Sequence, residues 1–274
     1  MNKSKILKYL KINKKILTKE KVLKEIDRVW DQMNLDNKSN FAKINLDKFY
    51  SDPVWILNGI FSETDTRSRK HRLAIAKYIS EFFSKSKKKI RVADYGGGSG
   101  VLSKIIIKNI DKKKISCIDV IEPWPFDFFL KKLSKFKKIR FKKKFIGKYD
   151  VIILQSVLEH VNDPIDHTIK CIRQLSNKGI IIFGNDFYPI IKCHVPSTFY
   201  LRHIFNLIIS FSGMNYKGFI NNCEYCHVFK NTGNFSPDRL VLLSRSLRFY
   251  GHFLNLYFIF QNNIKKKIYN FIKS

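Results

Sequence analysis

The stretch Ile90-Arg91-Val92-Ala93-Asp94-Tyr95-Gly96-Gly97-Gly98-Ser99-Gly100 decides the fold. A short run of buried-strand character ends in an acid and then a glycine cluster. Val101, Leu102, Ile105 and Ile106 follow on one helical face. A strand, a glycine turn and a helix make the opening unit of a parallel sheet. Glycine permits the tight turn and lets the backbone come close to a ligand. In an open α/β sheet, that turn at the strand's carboxyl end is where ligands bind.

Downstream the grammar repeats. Ile115 to Ile121 reads as a second strand and Phe126 to Phe136 as a helix. Ile139 to Ile146 is a weak, lysine-laden strand, and Tyr149 to Leu154 a strong one. Asn162 to Leu175 reads as a helix, with Asp163 as N-cap and Pro164 at its first position. Gly179 is expected to end it, and Ile180 to Phe183 is the next strand. Upstream, residues 1–88 look helical and polar with aromatic islands. Residues 187–225 are aromatic-rich and aperiodic, which suggests a cap over the sheet's carboxyl edge. Ser236-Pro237-Asp238 starts another helix, and Phe253 to Phe260 is apolar and β-leaning.

The glycine loop discriminates among ligands. A dinucleotide fingerprint needs its third glycine or alanine three residues after the second, where this chain has Val101. No Gly-Lys-Ser/Thr is present, so the loop is not a phosphate-binding P-loop. The carboxylate of Asp94 before the glycines suits a cationic amine. At the second strand's end, Asp119 or Glu122 can accept hydrogen bonds from ribose hydroxyls. An amine-bearing nucleoside without phosphates is S-adenosylmethionine. The bland reading is that Asp94 caps a turn and that Asp119 or Glu122 is a solvated strand end.

On these residues the chain resembles the class I S-adenosylmethionine-dependent methyltransferases, over about residues 89 to 262. Asp94 to Gly100 resembles that family's first motif and Ile118-Asp119-Val120 its second-strand motif. Tyr149-Asp150-Val151-Ile152 through Leu158-Glu159-His160-Val161 with Asp163-Pro164 resembles the fourth strand and following turn of its broad small-molecule group. His227 through Phe235-Ser236-Pro237 and Leu240 resembles a segment after that group's fifth strand.

The resemblance implies a Rossmann-like, mostly parallel α/β sheet with helices on both faces. Residues 1–88 would be a helical N-terminal extension, a lid or substrate-binding element. Residues 89–274 would be the cofactor domain, with the cap inserted at about 187–225. S-adenosyl-L-methionine would be held by Asp94, Gly96, Gly97, Gly98 and Gly100, with Asp94, Gly96 and Gly98 at its methionine end. Asp119 would hold the ribose, with Glu122 as the alternative, and Gln155 and Ser156 would line the methionine and substrate side. The family often has an acid after the third strand for the adenine amine. Phe141 to Gly147 contains none, so Val120, Ile121 or Trp124 would hold adenine through backbone and apolar contacts.

Methyl transfer from a sulfonium needs in-line alignment and exclusion of water more than a strong base. His160 is the candidate base if the acceptor must lose a proton, against the alternative of a packing role. His194, His203 and His227 are expected to be structural. The Gln155-Ser156-Val157-Leu158 run is not the Asn/Asp-Pro-Pro-aromatic string of amino-group methyltransferases. That favours O- or C-methylation of a small-molecule or carrier-linked acceptor, such as a glycan or lipid precursor. A tRNA or rRNA methyltransferase using the basic surface is the first alternative. A non-catalytic methyltransferase-fold binding protein is the second.

Composition sets the frame. The 274 residues carry 52 Lys and Arg against 22 Asp and Glu, a net charge of +30 that invites nucleic acid or an anionic membrane surface as partner. The lysines are dispersed among elements, so nucleic acid is not the favoured partner. A hydrophobic fraction of 45% with 24 Phe excludes general disorder, and 12 Gly with 7 Pro exclude a collagen-like chain. No secretory signal or membrane-spanning run is apparent, and the five cysteines are odd in number. The expectation is a cytoplasmic chain, peripheral to a membrane at most, with reduced thiols. No metal is expected. The alternative metal set is Cys193, His194, Cys223 and Cys226 around zinc. The Cys223-x-x-Cys226-His227 string also matches covalent haem attachment, which normally follows export.

Overall fold

The computed structural model describes residues 3–12, 17–37 and 46–273. Side chains of residue 263 and of residues 265–273 lie outside the description. The N-terminal part is helical, as expected: α1 Lys3–Leu10, α2 Lys19–Gln32, α3 Asp47–Tyr50, α4 Val54–Thr64 and α5 Thr66–Phe82. Thr18 caps α2 and Asp65 caps α5, each accepting from a first-turn backbone N–H. The sheet part then runs β1 Ile90–Tyr95, α6 Val101–Asn109, β2 Ile115–Ile121, α7 Asp127–Leu133, β3 Ile139–Lys142 and β4 Tyr149–Gln155. It continues α8 Pro164–Arg173, β5 Leu175–Gly184, α9 Leu201–Phe211, β6 Asn215–Ile220, β7 Cys223–Lys230, α10 Pro237–Ser246 and α11 Arg248–Lys273.

Among the described residues, seven strands lie in the order β3-β2-β1-β4-β5-β7-β6. The first five are parallel, and β7 joins antiparallel to both β5 and β6. The order reverses between β1 and β4, so their carboxyl ends flank the crevice where such sheets bind ligands. The central strands are apolar on both faces because helices cover both. On one face, Ile75, Ile79, Leu102 and Ile106 of α5 and α6 pack on Val92, Ile118, Val151 and Ile153. On the other, Ile165, Ile169, Ile204 and Ile208 of α8 and α9 pack on Ala93, Ile152, Leu154 and Ile181.

Asp119 belongs to this frame. It is fully buried in β2 and accepts from Arg140 Nε at 2.7 Å, Arg140 Nη2 at 2.9 Å and Tyr149 Oη at 2.8 Å. Arg91 stands 3.8 Å away. The carboxylate therefore ties β1, β2, β3 and β4 together across the sheet.

Four sequence expectations need correction. Helix α8 ends at Arg173, and β5 starts at once with Leu175 opposite Tyr149. Residues 176–179 bulge out before Ile180 rejoins opposite Val151, with Lys178 at φ 65°. Gly179 serves that bulge, since a Cβ there would lie 2.9 Å from the Asp150 carbonyl oxygen. β3 is shorter than expected and stops at Lys142. The segment read as an aperiodic cap contains α9, whose Leu201, Ile204, Phe205, Ile208 and Ile209 are buried, and then the β6–β7 hairpin at the sheet's edge. Phe253 to Phe260 is helical within α11, not β. Burial on one side, at Gly251 and Asn255, outweighs the β preference of its aromatics.

Candidate active site

A cavity of about 980 Å³ opens at the carboxyl ends of β1, β2 and β4, roofed by α2, α4 and α5. Its floor is the glycine loop. Gly96 and Gly98 take φ of 66° and 51°, conformations that side chains resist. A Cβ at Gly96 would strike Val157 at 2.6 Å, and one at Gly97 would strike the Asp94 carboxyl carbon at 2.7 Å. A Cβ at Gly98 would meet nothing within 4 Å among the described residues, so this glycine faces open space. Gly100, at φ 67°, serves packing instead. A Cβ there would hit Leu133 at 2.6 Å, so its absence lets α6 start close to α7.

Asp94 ends β1 with only 2% exposure. Burial pushes its carboxyl up to about 6, against the opposing hydrogen bond from Ser103 Oγ (2.8 Å) and the charge of Arg72. Arg72 lines the same cavity from α5 and donates to the Ser62 carbonyl at 3.2 Å. Its guanidinium is held below its ordinary range by burial, with Tyr225 and Asp94 pulling the other way. Glu122, just past β2, lines the cavity and accepts from Gly98 N at 2.9 Å and Trp124 N at 3.1 Å. Burial raises its carboxyl as well.

The expected residues thus divide. Asp94, Gly96, Gly97, Gly98, Glu122, Gln155, Ser156 and His160 line one cavity. Asp119 and Val120 do not. Asp119 points into the Arg140–Tyr149 cluster, and Val120 packs beneath Gly97. Strand alternation explains the difference. Asp119 sits mid-strand, opposite Ala93, whereas Glu122 lies just beyond the last residue of β2. Ser156 holds φ 55°, a strained backbone of the kind that clusters at working sites. Gln155 donates to Tyr225 Oη at 2.5 Å across the cavity wall. On the β3 side, Lys143 lines the cavity where an acid was missing, beside Ile121 and Trp124.

Arg72 was not legible in the sequence, because nothing local marks one arginine among the basic residues of α5. The aromatic wall was partly legible. Tyr50 stacks on Trp124 with centroids 5.1 Å apart, and Trp55 lies 5.3 Å from Tyr50. Helix α4 approaches closely because Gly59 has no Cβ; one there would lie 2.4 Å from Phe129 and 2.8 Å from Ser99. Glu63 pins α4 to α6 and α7 through Lys104, at 2.9 Å, and Lys132.

His160 follows β4 in a short 3-10 turn with its ring against Tyr50 and Trp55. Burial pushes its imidazole down to about 3, so it stays neutral at ordinary pH. Glu159 beside it is fully buried, and burial pushes its carboxyl up to about 7. His194 meets His160 edge-on, with centroids 4.6 Å apart. The four-ligand cysteine set is not assembled. Cys193 packs among the N-terminal helices, with Sγ 3.5 Å from His160 Nδ1. Cys223 and Cys226 lie 3.3 Å apart in the core between the sheet and α5. Those two are small apolar fillers of β7.

The residues fit S-adenosylmethionine. An acid and a base stand together at the glycine loop for a zwitterionic amino acid, and a second acid past β2 suits a ribose diol. The sheet order and this loop are those of the class I S-adenosylmethionine-dependent methyltransferase fold. Residues 67–198 match the family model described as a methyltransferase domain; the chain carries that domain and is a methyltransferase enzyme. No curated protein matches the chain. Among solved structures, the CurJ carbon methyltransferase is 13% identical, with a TM-score of 0.51, covering 76% of this chain and 70% of that one. An S-adenosylmethionine-dependent methyltransferase from Aquifex aeolicus is 16% identical with a TM-score of 0.43, covering 61% and 92%. The N-methyltransferase NodS from Bradyrhizobium japonicum is 13% identical with a TM-score of 0.43, covering 61% and 98%. At 13% identity the likeness to the CurJ enzyme is one of fold. Among the described residues, no helix is long and apolar enough to cross a membrane.

Proposed function

We propose that this enzyme methylates oxygen or carbon of a small or carrier-linked acceptor inside the roofed cavity. The observation that carries the reading is the continuous space of about 980 Å³. It is at the upper end of the volumes that hold one small ligand, roughly 300 to 1,000 Å³, so cofactor and acceptor can share it. When bound, the cofactor supplies a methyl already activated by its sulfonium charge. Asp94 holds the methionine ammonium, Arg72 its carboxylate, and Glu122 the ribose hydroxyls. Gly96 and Gly98 let the backbone approach. Trp124 and Ile121 offer apolar cover for adenine. Gln155 and Ser156 face the acceptor side, which Tyr50, Trp55 and His160 wall with rings. The roof of α2, α4 and α5 keeps water out, where alignment contributes most to the rate.

An anionic surface is a fitting place for such an acceptor. Phe249, Phe253, Leu256 and Phe260 are exposed at helical spacing on α11, Phe249 at 85%, and a lysine run follows at 265–267. Outward apolar residues on a helix whose sequence runs on into lysines suit a membrane interface.

Incubating the protein with methyl-labelled S-adenosylmethionine and lysate, then fractionating, tests the acceptor class. Label in small metabolites, glycan or lipid precursors is the expected result. Label confined to RNA would replace this reading with the basic-surface alternative, and cofactor binding without any labelled product would favour a binding protein.

The cofactor's affinity should depend on pH with a defined sign. Ammonium binding needs the ionised Asp94, whose carboxyl sits at about 6 before binding. Affinity is therefore full above about pH 6 and falls below it, by up to about tenfold per unit. Glu122, also raised, adds to the fall. Calorimetry from pH 5 to 8 reads the profile, and Asp94→Asn should lower it throughout and leave only the shallower fall due to Glu122. A flat profile in the unaltered protein would remove Asp94 from the role.

A further inference from the structure

Glu159, His160 and His194 each place one ligand atom within 4.8 Å of the other two. All three line the cavity roofed by the N-terminal helices. The cluster joins two separate elements, the turn after β4 and the segment before α9, so sequence spacing does not announce it.

Three further observations point to a cation. Glu159 Oε1 accepts from Asp186 N at 3.1 Å, whereas Oε2 is fully buried with no hydrogen-bond partner among the described residues. A buried carboxylate oxygen without a donor costs free energy that a bound cation removes. His194 Nδ1 lies 2.5 Å from the Tyr188 carbonyl. A carbonyl only accepts, so Nδ1 carries the proton and Nε2 keeps its lone pair. Holding a ligand histidine through its other ring nitrogen is how metal sites fix tautomer and ring orientation. His160 Nδ1 lies 3.5 Å from Cys193 Sγ, a contact that holds the ring in place.

We infer that Glu159, His160 and His194 form a divalent transition-metal site on the acceptor side of the cavity. Two imidazoles and one carboxylate suit Zn²⁺, Mn²⁺ or Fe²⁺ better than Ca²⁺ or Mg²⁺, which prefer oxygen ligands. Ligands about 2.1 Å from a tetrahedral ion stand about 3.4 Å apart, so modest rotamer shifts close the set. Three protein ligands leave at least one position open toward the cavity, as in catalytic sites. An acceptor with an oxygen donor would occupy it, so the acceptor class narrows to hydroxyl- or carbonyl-bearing molecules. This role at the acceptor rests on the proposed methyl transfer; the metal site itself does not.

The test is titration of metal-stripped full-length protein with Co²⁺, followed by visible absorption, and with Zn²⁺, followed by calorimetry. One ion per chain is expected, with d–d bands showing nitrogen ligation. Glu159→Gln, His160→Ala and His194→Ala should each weaken binding by more than roughly 100-fold, beyond what losing an outer-shell partner does. Cys223→Ala should leave it unchanged. Zn²⁺ should raise the melting temperature of the unaltered protein and not of His194→Ala. S-adenosylmethionine affinity, measured on each variant, should survive in His194→Ala, which lies outside the proposed cofactor cradle, and so reports that the variant is folded. No binding to the unaltered protein, or equal binding by all three ligand variants, would overturn the metal site. Metal binding without cofactor binding would instead sink the proposed function and leave the metal site standing.

Discussion

Gly98→Arg should abolish S-adenosylmethionine binding while the chain still folds. Position 98 has φ 51°, and a side chain there would project into open cavity, not into packed atoms. The left-handed backbone costs a non-glycine residue roughly 1 to 2 kcal/mol, which a domain of this size survives. The arginine then occupies the space the methionine end needs and sets its guanidinium near Asp94 and Glu122, the acids proposed to hold the cofactor. The loss should be at least about 100-fold, or about 2.8 kcal/mol. Calorimetry reads the affinity, and circular dichroism with thermal melting reads the fold. Unchanged affinity would remove the glycine loop from the cofactor site.

Asp119→Ala and Glu122→Ala should separate stability from binding. Asp119 accepts a buried hydrogen bond from Tyr149 and two from Arg140. Hydrogen bonds to a charged group contribute roughly 1.5 to 3 kcal/mol each. The share from Arg140 is discounted because that side chain is 44% exposed and can turn to water. The expected loss is about 2 to 3 kcal/mol, which in a chain of this length lowers Tm by roughly 4 to 10 °C. Cofactor affinity should hardly change. Glu122→Ala should do the reverse, weakening the cofactor roughly tenfold or more with little change in Tm, since only two backbone N–H groups lose an acceptor and both lie beside the cavity. If Asp119→Ala instead weakens the cofactor with Tm intact, the ribose role belongs to Asp119.

Local signals carried most of the fold. The strand-glycine-helix unit, the capped α8 and the apolar β4 were all legible, because each is written in contiguous residues. The β6–β7 hairpin was not. Its buried positions include Cys223 and Cys226, and cysteines separated by two residues invite a ligand reading when they are core filler. Helix α11 was missed for a related reason. Its aromatic run has β character by composition, while burial at Gly251 and Asn255 follows helical spacing.

The site was legible where it follows the glycine loop and obscure where it depends on tertiary contact. Asp94 and the glycines stand in one heptapeptide. Arg72 reaches the same cavity from α5, and His194 reaches Glu159 and His160 from beyond β5. Of the two acids near β2, sequence alone could not say which faces the ligand. One position along a strand reverses the face, and the strand's end had to be known first.

The two borders of the sheet bear on how copies of this chain tolerate one another. β3 is four residues long and carries Arg140 and Lys142. β6 shifts register twice against β7, carries Lys217, and bends at Gly218 with φ 93°. Short, bulged, lysine-bearing strands are poor templates for a strand from another molecule. A net charge of +30 adds mutual repulsion on approach. The lysines that say little about catalysis thus have a colloidal consequence: they work against edge-to-edge pairing between copies of a chain with 45% hydrophobic residues.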